Sequence, residues 1–395
     1  MSEIRVTNVL GENGNSPVNF TKGINMSGIV TATSFVPTVG QLSHRNIIIN
    51  GACNIAQRGV SATSVSGQYK TVDRFSVNYG GEDEDPTEAQ HTLSTSDTPY
   101  TLGFRKSFHI TNGNQTSGAG AADYVQPQYK IEAQDIANCG WNYTDSNSFI
   151  TLSFWVKASV AGDYTLNMNT HDGTPYRYLM EYTLTADTWK HVVFKIPGNS
   201  NLTVNNDNGL GLQIMWYPFL GSNYIQADQE NNWYASSNQK YGTTSTTNWW
   251  TTNDATWEIT GVQLEVGSVA TPFEHRSFGD ELSRCQRYFH IIKTGSGEEK
   301  YVGQLQVYAS GNCHGKYFHF PVTMRAIPTT TLSGTITPTN ASGNFSSNFS
   351  TATFDRNTTE FVGSNNTSGS SGLTAGNTAA IGLRPNSSIS SSAEL

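Results

Sequence analysis

The chain has 395 residues, more than one ordinary β domain needs, and carries a formal net charge of −8 with only 14% charged side chains. It lacks clustered Lys and Arg to meet phosphates and any apolar run near the roughly 20 residues of a membrane helix, so neither nucleic acid nor a bilayer is expected as its partner. Aromatic residues at 11%, set among abundant Ser, Thr, Asn and Gly, argue against disorder and for short strands with many turns.

Residues 1–45 alternate short β-prone patches, Ile4-Arg5-Val6 and Ile29-Val30-Thr31, with Gly-Asn turns. That is too little apolar material for a core, so this segment is expected to dock on a partner. The first five residues lack the apolar stretch of a signal peptide, which points to synthesis in a cytosol. Cys53, Cys139, Cys285 and Cys313 are far apart without CxxC spacing, so four free thiols are expected and neither a zinc site nor a redox dithiol. The run Asn46-Ile47-Ile48-Ile49-Asn50-Gly51 predicts a strand leading into a first domain over 46–276. Within it, Glu82-Asp83-Glu84-Asp85 predicts a solvated loop tip, with divalent-cation binding as the minor alternative.

Strand signals become regular from about residue 101. In Thr151–Ala158 one face is Leu152, Phe154 and Val156, and the other is Ser153, Trp155 and Lys157. Residues 104–110, 124–131, 164–169, 176–184, 189–195, 210–216 and 256–265 follow the same pattern between Gly, Asn and Asp turns. Eight short strands without helical periods between them predict an all-β chain whose main domain is a jelly-roll β-sandwich. Phe278, Leu282, Cys285 and Phe289 then repeat at helical spacing behind the possible caps Ser277 and Asp280, which predicts a linker helix over 277–290. Residues 291–395 are rich in Ser, Thr, Asn and Gly. Strand candidates at 301–308, 315–320 and 329–336, and apolar residues at Phe345, Phe349, Phe354, Phe361 and Ile381, predict a smaller C-terminal β-sandwich stabilised by oligomerisation.

Several short motifs occur together in order. Ser2-Glu3-Ile4-Arg5-Val6 with Gly28-Ile29-Val30-Thr31-Ala32-Thr33 resembles the leader of structural proteins of cyanophages and related marine tailed phages. Asn54-Ile55-Ala56-Gln57-Arg58-Gly59 with Asp73-Arg74-Phe75, and Gly261-Val262-Gln263-Leu264-Glu265-Val266-Gly267 with Thr271-Pro272-Phe273-Glu274, resemble tail-fibre modules built on a carbohydrate-binding-module-like jelly roll. Arg284-Cys285-Gln286-Arg287-Tyr288-Phe289, Met324-Arg325-Ala326-Ile327-Pro328 and Ala393-Glu394-Leu395 are similar to stretches of the same proteins. The resemblance implies a virion appendage of tail, neck or head: a homotrimer attached to other virion proteins by its N-terminal segment and meeting host surface polysaccharide through a β domain.

The chemistry-bearing residues point to binding. Trp233, Tyr234, Tyr241, Trp249 and Trp250 sit among amides and hydroxyls before the last sandwich strand, a mix suited to stacking on a pyranose face and bonding its hydroxyls. The same rings would serve equally to pack the loop or to fill a subunit interface. Trp155, Trp189 and Trp257 read as core or semi-core, while Trp216-Tyr217, just ahead of Pro218, is ambiguous between core and a strand end bordering the site. Asp145, Asp228, Glu230 and Asp254 lie in predicted loops, and nothing selects from them the opposed pair a glycosidase needs, so no catalysis is expected. No cofactor is implied; a structural calcium is conceivable, without nameable ligands. Two rival readings stand beside glycan adhesion: a ligand-free connector or capsid decoration, and a polysaccharide depolymerase.

Overall fold

Apolar residues at every second position build two facing sheets in the computed structural model. Residues 44–236, 240–339, 347–349, 351–370 and 373–395 are described. The expected attachment segment therefore lies outside them up to residue 43, as does Phe345. The first core is made by β1 (Ser61–Thr63), β2 (Phe75–Gly80), β3 (Thr87–Thr92), β4 (Lys106–Thr111), β5 (Tyr124–Glu132), β6 (Phe149–Ala158), β7 (Gly162–Thr170), β8 (Tyr176–Leu184), β9 (Lys190–Pro197), β10 (Leu210–Tyr217), β11 (Phe219–Leu220), β12 (Trp233–Ala235) and β13 (Thr256–Val266). Among the described residues one sheet runs β1-β3-β4-β13-β6-β9, and the other β11-β5-β10-β7-β8-β12 with β2 paired to β5. Leu152, Phe154 and Val156 of β6 meet Leu166, Met168, Ile214 and Trp216 of the opposite sheet in a shared core. The fold is the all-β sandwich that the alternation predicts. Each of the eight predicted strands is present with its ends shifted by two residues or fewer.

The run from Asn46 to Gly51 is not a strand. Its backbone meets β13 only at its ends, where the Ile47 amide donates to the Leu264 carbonyl and the Val262 amide to the Gly51 carbonyl, and side chains capture the stretch between. The Ile49 amide donates to the Tyr129 hydroxyl (2.8 Å), the Ile48 amide to Asn46 Oδ1 (3.0 Å), and Arg276 Nη1 donates to the Ile48 carbonyl (3.0 Å). Gly51 is obligatory here, since a Cβ would lie 2.1 Å from the Val262 carbonyl oxygen. Gly261 sits opposite it at φ 62°, inside a register shift of β13 against β6. This is a bulge that only glycine supplies without strain, and it leaves room for the Phe104 ring.

One buried carboxyl gives a pH test of this core. Glu88 is fully buried, accepts from Thr71 Oγ1 (3.0 Å) and leaves its Oε2 without a hydrogen-bond partner among the described residues. Burial pushes its pKa up from 4.5 to about 7. A raised carboxyl pKa means the folded state holds the proton more tightly. Its contribution to stability is thus present below pH 4.5 and lost as pH rises to about 7. Glu88→Gln is expected to be near neutral at pH 4 and to stabilise at pH 8 by on the order of 3 kcal/mol, read by urea unfolding at both values.

The polar C-terminal region folds on sparse apolar residues. Its strands are β14 (Phe289–Lys293), β15 (Lys300–Ala309), β16 (Asn312–His319), β17 (Thr329–Ser333), β18 (Ile336–Pro338), β19 (Thr351–Ala352), β20 (Phe361–Ser368), β21 (Thr378–Leu383) and β22 (Ser388–Ser392). They form a sheet β14-β22-β17 and a sheet β18-β21-β15-β16-β20-β19 among the described residues. Val302, Leu305, Val307, Tyr317, Ile381 and Ile389 fill a second core. Hydroxyl pairs Thr330–Ser391 (2.8 Å) and Thr331–Ser390 (2.9 Å) join β17 to β22, which explains how so polar a segment makes strands.

Residues 44–395 belong to one compact unit, and the junction of the two cores is densely bonded. The helix Phe278–Gln286 starts at Ser277, whose side chain accepts from the Asp280 amide. Its predicted apolar face is shorter than the spacing suggests. Phe278 is exposed and Phe289 belongs to β14, so Leu282 and Cys285 carry the contact with Ile49, Ile55 and Tyr288. Beside it the Arg74 guanidinium pairs with Glu394, donates to the Lys130 carbonyl (2.6 Å) and lies 3.5 Å over the Tyr288 ring. Arg58 bonds Glu394 (3.1 Å) and lies 3.6 Å over Phe289. Arg325 donates to the carbonyls of Ala393 and Glu394, and Arg287 and Tyr288 bond Glu132. Motifs far apart in sequence thus meet in one place, where their work is to fasten the two cores.

Candidate functional site

The segment between β11 and β13 folds back over the sandwich, and it puts most of the expected sugar-stacking rings inside. Trp249 and Trp250 are fully buried and Trp233 nearly so. Each indole N–H has found a carbonyl: Trp249 donates to Thr256 (3.0 Å), Trp250 to Gly118 (2.7 Å) and Trp233 to Pro197 (2.7 Å). Asn112 Nδ2 donates to the carbonyl of Trp250 (2.7 Å), which holds the short helix Thr247–Trp250 against the core. The expectation that Trp233, Trp249 and Trp250 stack on a sugar is corrected here: a ring with no exposed face and a satisfied N–H is core. Tyr234 is half-buried, its hydroxyl donating to the Lys240 carbonyl (2.7 Å). Only Tyr241 of the five lines an open cleft.

That cleft, about 490 Å³, lies on the outer face of the sheet holding β5, β10, β7 and β8. In β5, Gln126 and Gln128 alternate with core residues Val125 and Tyr129; in β7, Asn167 and Asn169 alternate with Leu166 and Met168; in β10, Gln213, Met215 and Tyr217 alternate with Ile214 and Trp216. The inward residues make the sandwich and the outward ones a floor of amides. Leu220, Tyr224 and Tyr241 rise along one side as the segment after β11 crosses back. Beside buried Tyr217, three further tyrosine rings border the space, with Tyr224 edge-on to Tyr124 at 6.0 Å and 5.5 Å from Tyr241. All three are half-buried, so each keeps part of its face in solvent.

The floor is pre-arranged by its own hydrogen bonds. Gln128 Nε2 donates to Ser76 Oγ (3.0 Å), Gln213 donates to Gln128, and His171 Nε2 stands 2.8 Å from Gln213 Oε1 and 3.1 Å from Asn169 Nδ2. Asn167 Nδ2 donates to the Tyr217 hydroxyl (3.1 Å) and the Tyr241 carbonyl (2.6 Å), which ties the rim to the floor. Arg177 donates to the Lys240 carbonyl and stacks 4.3 Å from the Tyr241 ring. Burial pushes the His171 pKa down, so the imidazole is neutral, and its tautomer decides whether Nε2 donates to Gln213 Oε1 or accepts from Asn169 Nδ2. Asn169 is nearly buried, and its Oδ1 has no hydrogen-bond partner among the described residues.

Among the described residues no Asp or Glu lines this cleft. Asp145, Asp228, Glu230 and Asp254 lie elsewhere: Asp145 accepts from the Asn147 amide in its own turn, and Glu230 from Asn231. The acidic run is partly exposed as expected, and it also staples a neighbouring loop, since Asp83 accepts from the Ser117 amide (2.6 Å) and Glu84 from the Asn114 amide (2.8 Å). Tyr217 borders the cleft while Trp216 fills the core. Sequence reasoning missed the amide floor. The available signal was Gln or Asn at alternate positions of β5 and β7, joined by Gln213 of β10, in strands where amides are otherwise scarce.

No family model matches the chain, and no curated protein matches it. Solved structures do. The enzymatically active domain of tailspike protein 4 of bacteriophage CBA120 aligns at 11% identity and TM-score 0.30 over 56% of this chain and 21% of its own. A family 11 carbohydrate-binding module from Clostridium thermocellum, in complex with a β-1,3-1,4-mixed-linked tetrasaccharide, aligns at 11% identity and TM-score 0.24 over 54% and 98%. A putative sugar-binding protein from Bacteroides thetaiotaomicron aligns at 10% identity and TM-score 0.26 over 56% and 99%. The chain thus spans about a fifth of the tailspike's length. The sandwich assignment rests on the strand pairing described above.

Proposed function

We propose that this chain is a non-catalytic fibre protein of a phage virion, attached to the particle through its N-terminal segment, which adheres to host surface glycan through the cleft on the seven-stranded sheet. The observation that carries the glycan reading is the cleft itself: three partly exposed tyrosine rings around a hydrogen-bonded floor of amides. Rings cover the C–H faces of a sugar and amides bond its hydroxyls. Among the described residues no carboxylate lines the cleft, which supports binding over hydrolysis, a reaction that needs two. The virion reading is supported by the ordered set of phage-like motifs. A trimer would give each appendage three such clefts, and several weak contacts on one particle hold far more tightly than one. The connector reading keeps one argument, because the burial of Trp249 and Trp250 removes them as exposed ligand rings.

A glycan array followed by calorimetric titration tests the reading. Tyr224→Ala and Tyr241→Ala are each expected to weaken the best glycan about tenfold or more, with an unchanged unfolding midpoint. Absence of any glycan bound by the full chain, or equal affinity in both variants, contradicts it.

A further inference from the structure

We propose that His91, His109 and Glu258 form a binding site for one divalent transition-metal ion, zinc in the first place, on the outer face of the six-stranded sheet. The three residues lie on the adjacent strands β3, β4 and β13, where both Ala89 and Glu258 face His109 in register. Rigid strands fix their backbones. Their ligand atoms all lie within 4.8 Å of one another, the only such grouping of three or more His, Cys, Asp or Glu side chains among the described residues. Glu258 Oε2 is 3.2 Å from His91 Nδ1 and 3.6 Å from His109 Nδ1. Zinc sits about 2.0–2.2 Å from nitrogen and carboxylate ligands, so a tetrahedral site separates its donors by about 3.4 Å. The two observed edges bracket that span.

A second observation points the same way. His109 Nδ1 is shielded from solvent and has no hydrogen-bond partner among the described residues, being too far from the carboxylate to share a proton well. A bound cation would satisfy that lone pair. The carboxylate is already oriented, as zinc ligands usually are, by neighbours outside the site: Ser107 Oγ donates to Oε2 (2.8 Å), and Lys157 Nζ lies 2.7 Å from Oε1. His91 is half-exposed, which leaves an entry path and room for water in a fourth position. Two imidazoles with one carboxylate favour zinc over calcium, which prefers an all-oxygen shell. The Lys157 charge lowers the affinity, and the site is on the sheet opposite the glycan cleft, so it stands independently of that reading.

Calorimetric titration of the tag-free full chain with zinc, and separately with calcium, tests the proposal. One zinc per chain is expected, with calcium giving no heat. His91→Ala, at a half-exposed position that folding tolerates, and His109→Gln should each weaken zinc at least tenfold, and cobalt should show the visible bands of tetrahedral coordination only when both histidines are present. No zinc heat above dilution overturns the site. So does zinc binding of equal strength in both variants, which would place the ion on others of the nine histidines.

Discussion

Alanine at Trp250 is expected to lower the unfolding free energy by about 3–5 kcal/mol, the usual range for removing a large buried ring. Its indole is fully buried, packs 4.8 Å from the Phe219 ring and donates to the Gly118 carbonyl. The substitution opens a void and leaves that carbonyl without its donor, so transfer, cavity and hydrogen-bond losses act together. Urea unfolding reads the effect directly. A loss below about 1 kcal/mol would mean that the ring contributes little to the core, and the correction made above for the expected sugar-stacking residues would fall with it.

The junction of the two cores should respond as strongly. Glu394→Ala leaves the Arg74 guanidinium, nearly inaccessible to solvent, without its counter-charge, and breaking a buried pair from one side costs about 3–5 kcal/mol. Arg58 loses the same partner. We expect calorimetry to show two transitions in place of one, and limited proteolysis to cut between residues 277 and 290. The double replacement Arg74→Met with Glu394→Leu should recover most of the loss, since it removes both charges and keeps apolar volume. A single unshifted transition in Glu394→Ala would show that the cores are held by other contacts.

The sandwich was legible because its strands alternate cleanly: Leu152, Phe154 and Val156 face in and the core follows. The capping role of Ser277 was legible for a local reason, one side chain meeting one amide three residues on. What escaped was whatever depends on long-range closure. The Asn46–Gly51 run looks like a strand because three isoleucines in a row are β-prone, yet it makes only two backbone bonds to β13, at Ile47 and Gly51, and between them its partners are side chains at Tyr129, Glu281 and Arg276. The rings of the loop carried no sign of which way they point; only the chain crossing back over β7 and β10 puts Trp249 and Trp250 inward and Tyr241 over the cleft. The floor was half-visible, since Gln126, Gln128, Asn167, Asn169 and Gln213 alternate in plain sight, but which strands lie side by side is a property of topology.

The account turns on where a glycan sits. A density map of the chain with the tightest oligosaccharide from the array decides it most directly. Density across the amide floor, with sugar faces against Tyr224 and Tyr241, is the predicted result. Sugar density confined to the C-terminal domain, for instance in the groove between Lys316 and Arg356, would contradict it.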